Sequence, residues 1–296
     1  MIMKKKRTLL FLAVVIGLML LSLSTQAQNI LTESCNLMQP GDSVTMQIVD
    51  YVDAGEGGDN AVWDFSGLDC SGVYYIKYDT INQSQLVGYD AQNTYKYHLS
   101  DCQLLLSTNE SALLGMEYLP PQLMQVFPFQ YSHTVSKEYR GEGRFCGTHF
   151  ERTFGTIQRT ADGQGTLILS ENDTLQNTLR VYTVNTSAIR LNSDSCRNDS
   201  SNLKQVITER YQWYARGYRY PVFETFTSST YDNLCHVATQ QYAYCCPPSV
   251  QKELSDPINE EIRHNDMLAR QNEKNNGNNS SDSFTFAESN NRGWRC

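Results

Sequence analysis

The stretch ADGQGTLILSENDTLQNTLRV, residues 161–181, alternates punctuation with apolar runs: Asp162-Gly163-Gln164-Gly165, Leu167-Ile168-Leu169, Ser170-Glu171-Asn172-Asp173, then a second β-forming run. Glycine reaches positive φ at no steric cost, and aspartate bonds its own backbone, so both signal turns. Two turns around a short apolar run predict a hairpin whose second turn leads into a strand over 175–185. The side chains decide whether 162–165 holds an ion instead. A calcium loop needs oxygen ligands at alternate positions and a closing glutamate, but Gln164 and Thr166 follow Asp162 and the chain runs straight into Leu167. A phosphate loop needs a lysine and a following helix, and neither is present. The stretch reads as a turn, with Thr174 beside its second bend.

Outward from there, the pattern stays β. Tyr74, Ile76 and Tyr78 share one phase of 73–80, and Tyr95, Tyr97 and Leu99 share one phase of 94–99. In 205–215, Ile207, Glu209, Tyr211 and Trp213 oppose Val206, Thr208 and Arg210, while Tyr214 takes the second face. A period of two rich in β-branched and aromatic residues is a strand signal. Turn residues recur at 55–60, 90–93, 140–143 and 162–163, and no long helical period interrupts. About ten to thirteen short strands of this kind predict an all-β fold, an antiparallel β-sandwich or two packed sheets. It would span 28–246, with Leu119-Pro120-Pro121 as the candidate boundary between two halves. Asp256-Pro257 and the spacing of Leu254, Ile258 and Ile262 predict a short helix within 247–272. The Asn/Ser-rich tail over 273–296 reads as a disordered linker leading to a lost or truncated module.

Lys4, Lys5, Lys6 and Arg7, an apolar run from Leu9 to Leu21, and Thr25-Gln26-Ala27 form an export signal over 1–27. Its apolar run, about 15 residues, is short of the roughly 20 that span a bilayer. No other stretch is long and apolar enough to cross, so no transmembrane segment is expected in the mature chain. The address is the periplasm, the outer-membrane surface or the extracellular space. Removing the signal leaves 20 basic against 32 acidic residues, a net charge of −12, which excludes nucleic acid as a partner. All nine cysteines follow the signal, and export permits them to form up to four disulfides.

Little of the chain resembles chemistry. His98, His133, His149, His236 and His264 form no metal-ligand pair, and Cys235-His236 with Cys245-Cys246 lacks structural-zinc spacing. No nucleophile elbow occurs. No catalytic residue, metal or cofactor is assigned; Glu209 and Glu224 are the nearest approach to a carboxylate pair. The candidate ligand site is the aromatic segment RYQWYARGYRYPVFETF, 210–226, through Tyr211, Trp213, Tyr214, Tyr218 and Glu224. Flat aromatics on a sheet stack on sugar rings, or else fill a core, as expected of Trp63.

GGDNAVWDFSGL (57–68), TADGQGTLIL with TLRVYTV (160–184) and YQWYARGYRYPVFE (211–224) together resemble a group of uncharacterised secreted proteins of Bacteroidetes. The resemblance implies a secreted β-rich protein, of a kind often ending in a type IX secretion sorting domain. It carries no catalytic residues. It also implies O-glycosylation at Asp-Ser/Thr-apolar signals, which match Ser43, Thr80 and Thr174. The function expected is non-catalytic binding or adhesion at the envelope, with a glycan or an envelope protein as partner; the alternative is a carbohydrate-active module.

Overall fold

The computed structural model describes residues 29–82, 85–170, 173–193 and 203–272. The export signal expected over 1–27, the 273–296 tail, Glu171, Asn172, Cys196 and Cys296 lie outside them. The described residues form strands β1 (Ser43–Val49), β2 (Gly58–Asp64), β3 (Cys70–Asn82), β4 (Gln85–Tyr89), β5 (Asn93–Ser100), β6 (Gln103–Ser111) and β7 (Leu114–Val126). There follow β8 (Thr134–Phe145), β9 (His149–Ile168), β10 (Thr174–Ser193), β11 (Leu203–Ala215), β12 (Phe223–Asp232) and β13 (Cys235–Cys245). Helix α1 is Glu33–Asn36, α2 is Pro248–Lys252, and α3 covers 257–272.

The fold is all-β, but it is not a sandwich. Leaving out β2, the strands pair antiparallel around a ring, and β9 pairs with β10 to close it: a 12-stranded barrel. At the Leu119-Pro120-Pro121 step β7 continues as one strand, with its register against β6 shifting there. Closing the ring leaves no pair of sheet faces to pack together, so the core divides between the lumen and the outer wall.

Two pairs of the glycines that read as turns lie inside strands. Gly163 and Gly165 lie inside the 20-residue strand β9. Asp162 is an extra, bulged residue there, since Arg180 pairs with Gly163 and Val181 with Ala161. β8 starts opposite Thr160, and β2 takes the vacated edge of β9 in parallel, from Gly58 against Gly163 to Asp64 against Ile168. A Cβ on Gly163 would lie 2.9 Å from the Trp63 ring, and one on Gly165 would lie 1.9 Å from the Ala61 carbonyl oxygen. These glycines therefore admit a neighbouring strand. The same correction applies at 140–143: Gly141 and Gly143 are inside β8, and their missing side chains make room for Tyr118 and the Gly115 carbonyl.

Residues 50–69 form a strap across the outside of the barrel. Trp63 and Phe65 cover Trp213, Phe223, Val222 and Leu167 in an outer core, with the Trp213 indole edge-on to both rings. Arg180, almost fully buried, fastens the strap. Its guanidinium grips both oxygens of Asp162 at 3.0 and 2.8 Å and donates to the Ala54 and Gly55 carbonyls at 2.8 Å each. It also lies about 5.0 Å over the Tyr211 ring.

One end of the barrel is floored. Leu31 bridges to Phe129, and both pack on Ala161, Leu179, Val181 and Tyr214. Arg219 is buried between Asp256 at 2.8 Å and Asp42 at 3.5 Å, and Tyr220 donates its hydroxyl to Asp42 at 2.7 Å. Asn259, in α3, reaches the Cys35 carbonyl at 2.8 Å, which binds the C-terminal helix to the N-terminal segment. The seven described cysteines, Cys35, Cys70, Cys102, Cys146, Cys235, Cys245 and Cys246, are all thiols, so the expected disulfides are not formed among them.

Gly165→Ala is expected to cost about 3 kcal/mol by forcing β2 off β9, read as a lowered Tm, whereas Gly67→Ala, with no atom within 4 Å of its Cβ, should leave Tm nearly unchanged.

Candidate functional site

A barrel of eight strands is filled by its own side chains, and wider ones leave space. Here the lumen holds a cavity of about 490 Å³, within the range of small-molecule sites. Its wall is drawn, mostly from alternate residues, from β1, β3, β5, β6, β7 and β9 to β12. β1 and β3 contribute Val44, Met46, Tyr74, Ile76 and Tyr78; β5 and β6 contribute Tyr95, Tyr97, Leu104, Leu106 and Asn109. From β9 to β12 come Ile157, Arg159, Thr183, Asn185, Thr208, Arg210, Gln212, Tyr214, Glu224 and Phe226. One side is therefore tyrosine and leucine, and the other is polar.

The polar side is a connected network. Gln212 donates to Glu224 at 2.7 Å, and Arg210 sits 3.4 Å from the second Glu224 oxygen and 5.3 Å over the Phe226 ring. Arg159 donates to the Gln125 and Gln212 side-chain oxygens at 2.8 and 3.4 Å. Arg210 lies deep in the molecule, yet 38% of its side chain is accessible; that surface faces the open lumen. Glu224 beside it raises the Arg210 pKa further, whereas burial lowers that of Arg159.

Arg159 is 4% exposed and has no carboxylate within ion-pair distance among the described residues. Its Nε has no hydrogen-bond partner, and neither do Thr183 Oγ1 beside it and Asn109 Oδ1 across the same cavity. Each unpaired buried polar atom costs about 1–3 kcal/mol. Their gathering on one cavity marks a place where a guest supplies the missing partners.

The sequence-derived candidates divide between two shells. Tyr214 and Glu224 line the lumen. Trp213 is completely buried in the outer core with Tyr218 beside it, and Tyr211 packs partly buried against that core. They form no exposed stacking platform. Glu209 accepts the Tyr182 hydroxyl, outside the cavity lining. Ser43, Thr80 and Thr174 are exposed, and Thr80 Oγ1 donates to the Gln85 carbonyl at 3.0 Å. Arg159 and Thr183 were not singled out by their residue types. A readable trace exists: Arg159 falls in phase with Ile157 and Ala161, a cation on the apolar phase of a strand.

A larger hollow, about 900 Å³, is lined by the exposed side chains Glu138, Arg140, Phe154 and Leu234. The lumen is the stronger candidate because it encloses unpaired polar atoms.

Burial raises the pKa of luminal Tyr74, Tyr78, Tyr97, Tyr118 and Tyr214, and pushes Tyr95 up to about 12, with Asp90 adding to the effect. The unfolded chain releases these protons near pH 10 and the folded chain holds them, so this stability is complete below about pH 10 and is lost as pH rises toward the folded values. Tyrosinate absorbance should therefore lag behind that of free tyrosine and then rise steeply, together with loss of β circular dichroism. No family model matches the chain, and neither a curated protein nor a solved structure is found to be similar to it.

Proposed function

We propose that the protein is a non-catalytic binding protein that encloses one small molecule, apolar or aromatic over most of its length, in the barrel lumen. The observation that carries this reading is the luminal cavity of about 490 Å³ with unpaired polar atoms in its lining. Tyrosine and leucine supply a guest with apolar contact, and tyrosine hydroxyls and amides orient it. Floor contacts such as Arg219 with Asp256 keep the site preformed, which lowers the ordering cost of binding.

Export through the 1–27 signal belongs to the same reading, with action in the periplasm, at the cell surface or outside the cell. The outer wall supports an aqueous setting. On β8 the exposed residues are Thr134, Ser136, Glu138, Arg140, Glu142 and Arg144, while Val135 and Tyr139 turn inward. A lipid-facing barrel has the reverse alternation. On β3, Val73 and Tyr75 face outward, but Lys77 and Asp79 share their row. No helix among the described residues is long and apolar enough to cross a membrane. A glycan partner held on an exposed aromatic face draws no support from the buried Trp213.

The test uses the neutral fluorophore N-phenylnaphthylamine. Saturable enhancement at one molecule per chain is expected, with a Kd on the order of micromolar. Thr208→Phe, which fills the lumen, should weaken it at least about tenfold with Tm unchanged. Absence of saturable binding, or binding indifferent to Thr208→Phe, would overturn the reading.

A further inference from the structure

Strand register puts three side chains of the lumen in one line. Arg159 on β9 pairs with Thr183 on β10, and Thr183 pairs with Arg210 on β11. The line continues to Phe226 on β12 and Tyr242 on β13. Residues directly opposite in an antiparallel pair have Cβ atoms about 5 Å apart. Thr183 therefore stands between two guanidinium-bearing side chains on the same inner face, and all three line the cavity.

The chemistry left open on this line is specific. Arg159 Nε is a buried donor with no acceptor, and Thr183 Oγ1 is a buried hydroxyl with no partner. Arg210 shares Glu224 with Gln212, at a separation of 3.4 Å that is long for an ion pair with good hydrogen-bond geometry. Glu224 answers one positive charge, and Arg159 remains as the second. A neutral guest leaves that buried cation unanswered, and a cationic guest adds repulsion. A group that only accepts hydrogen bonds and carries negative charge satisfies Nε, the rotatable hydroxyl and the excess charge together. Apolar Leu104, Leu106 and Leu123 elsewhere on the cavity wall suit the remainder of such a molecule.

We propose that the Arg159–Thr183–Arg210 line is an oxyanion seat, and that the molecule bound in the lumen is an amphiphile with a single carboxylate, phosphate or sulfate head. This rests on the lumen being the binding site, and the experiment separates the two. N-phenylnaphthylamine is bound first and then displaced with decanol, decanoate, decyl phosphate or decyl sulfate. At least one anion should displace it at a concentration ten or more times lower than decanol does, and the order among the three identifies the head group. Arg159→Met should reduce that preference at least fivefold, read as the ratio of anion to decanol displacement within the same variant, so that any change in fluorophore affinity cancels. Thr183→Val, a smaller change, should reduce it two- to fivefold and serves if Arg159→Met fails to fold. If the fluorophore binds in the lumen but anions and decanol displace it equally, or if both variants keep the full preference, the seat is wrong and the lumen site stands. If the fluorophore does not bind at all, both fail together.

Discussion

The outer core and the strap that covers it depend on β9 remaining a strand through Gly163 and Gly165. If the chain turned there, β9 would stop near Ala161, β2 would have no edge to join, and Trp63 would lose its seat over Trp213. The ring is closed by 149–160, where β9 pairs with both β8 and β10; beyond Ala161 β9 continues to Ile168 against Thr174 and gives β2 an edge. Closure removes sheet edges, whose unpaired backbone groups are a hazard in open sheets. It also converts one face of every strand into the wall of an enclosed space.

Two sets of buried charges hold this arrangement, and they differ in how they are answered. Arg180 is met by Asp162 and two backbone carbonyls, and Arg219 is met by two aspartates. Each is a fastening, one for the outer strap and one for the floor. A buried pair of this kind contributes little net stability by itself, but removing one partner costs several kcal/mol, so strap and floor are both firmly committed to their positions. Arg159 has comparable burial and no such answer. A protein that gives two buried arginines carboxylate partners and leaves a third without one on a cavity has a wall arranged for a guest rather than for packing.

The sequence made the all-β character legible because period two survives in the tyrosines of β3 and β5 and in the opposed faces of Trp213 and Tyr214. It could not distinguish a sandwich from a barrel, since both alternate inward and outward along every strand. What the glycine pairs at 141/143 and 163/165 concealed is that the strands run on through them. Glycine is a turn residue by conformational freedom and a contact residue by lack of a side chain, and only the neighbours decide which. Those neighbours, Gly115, Tyr118, Ala61 and Trp63, are distant in sequence. The site was hidden for a related reason. Arg159, Thr183 and Arg210 are ordinary strand residues until register aligns them, and register is set by closure. The aromatic segment drew attention for its composition, yet the chain uses Trp213 and Tyr218 to fasten the strap and sends only Tyr214 and Glu224 to the lumen.

The most direct measurement of the closed barrel is residue-resolved amide hydrogen exchange along β9 and β10. In a closed ring both strands are interior: β9 donates alternately to β8 and β10, and successive amides from Thr153 to Thr160 should all be protected. Slow exchange at every residue of that run is the predicted result. An alternating pattern, with every second amide of β9 or β10 exchanging as fast as a free edge, would mean that the sheet is open and would contradict the account.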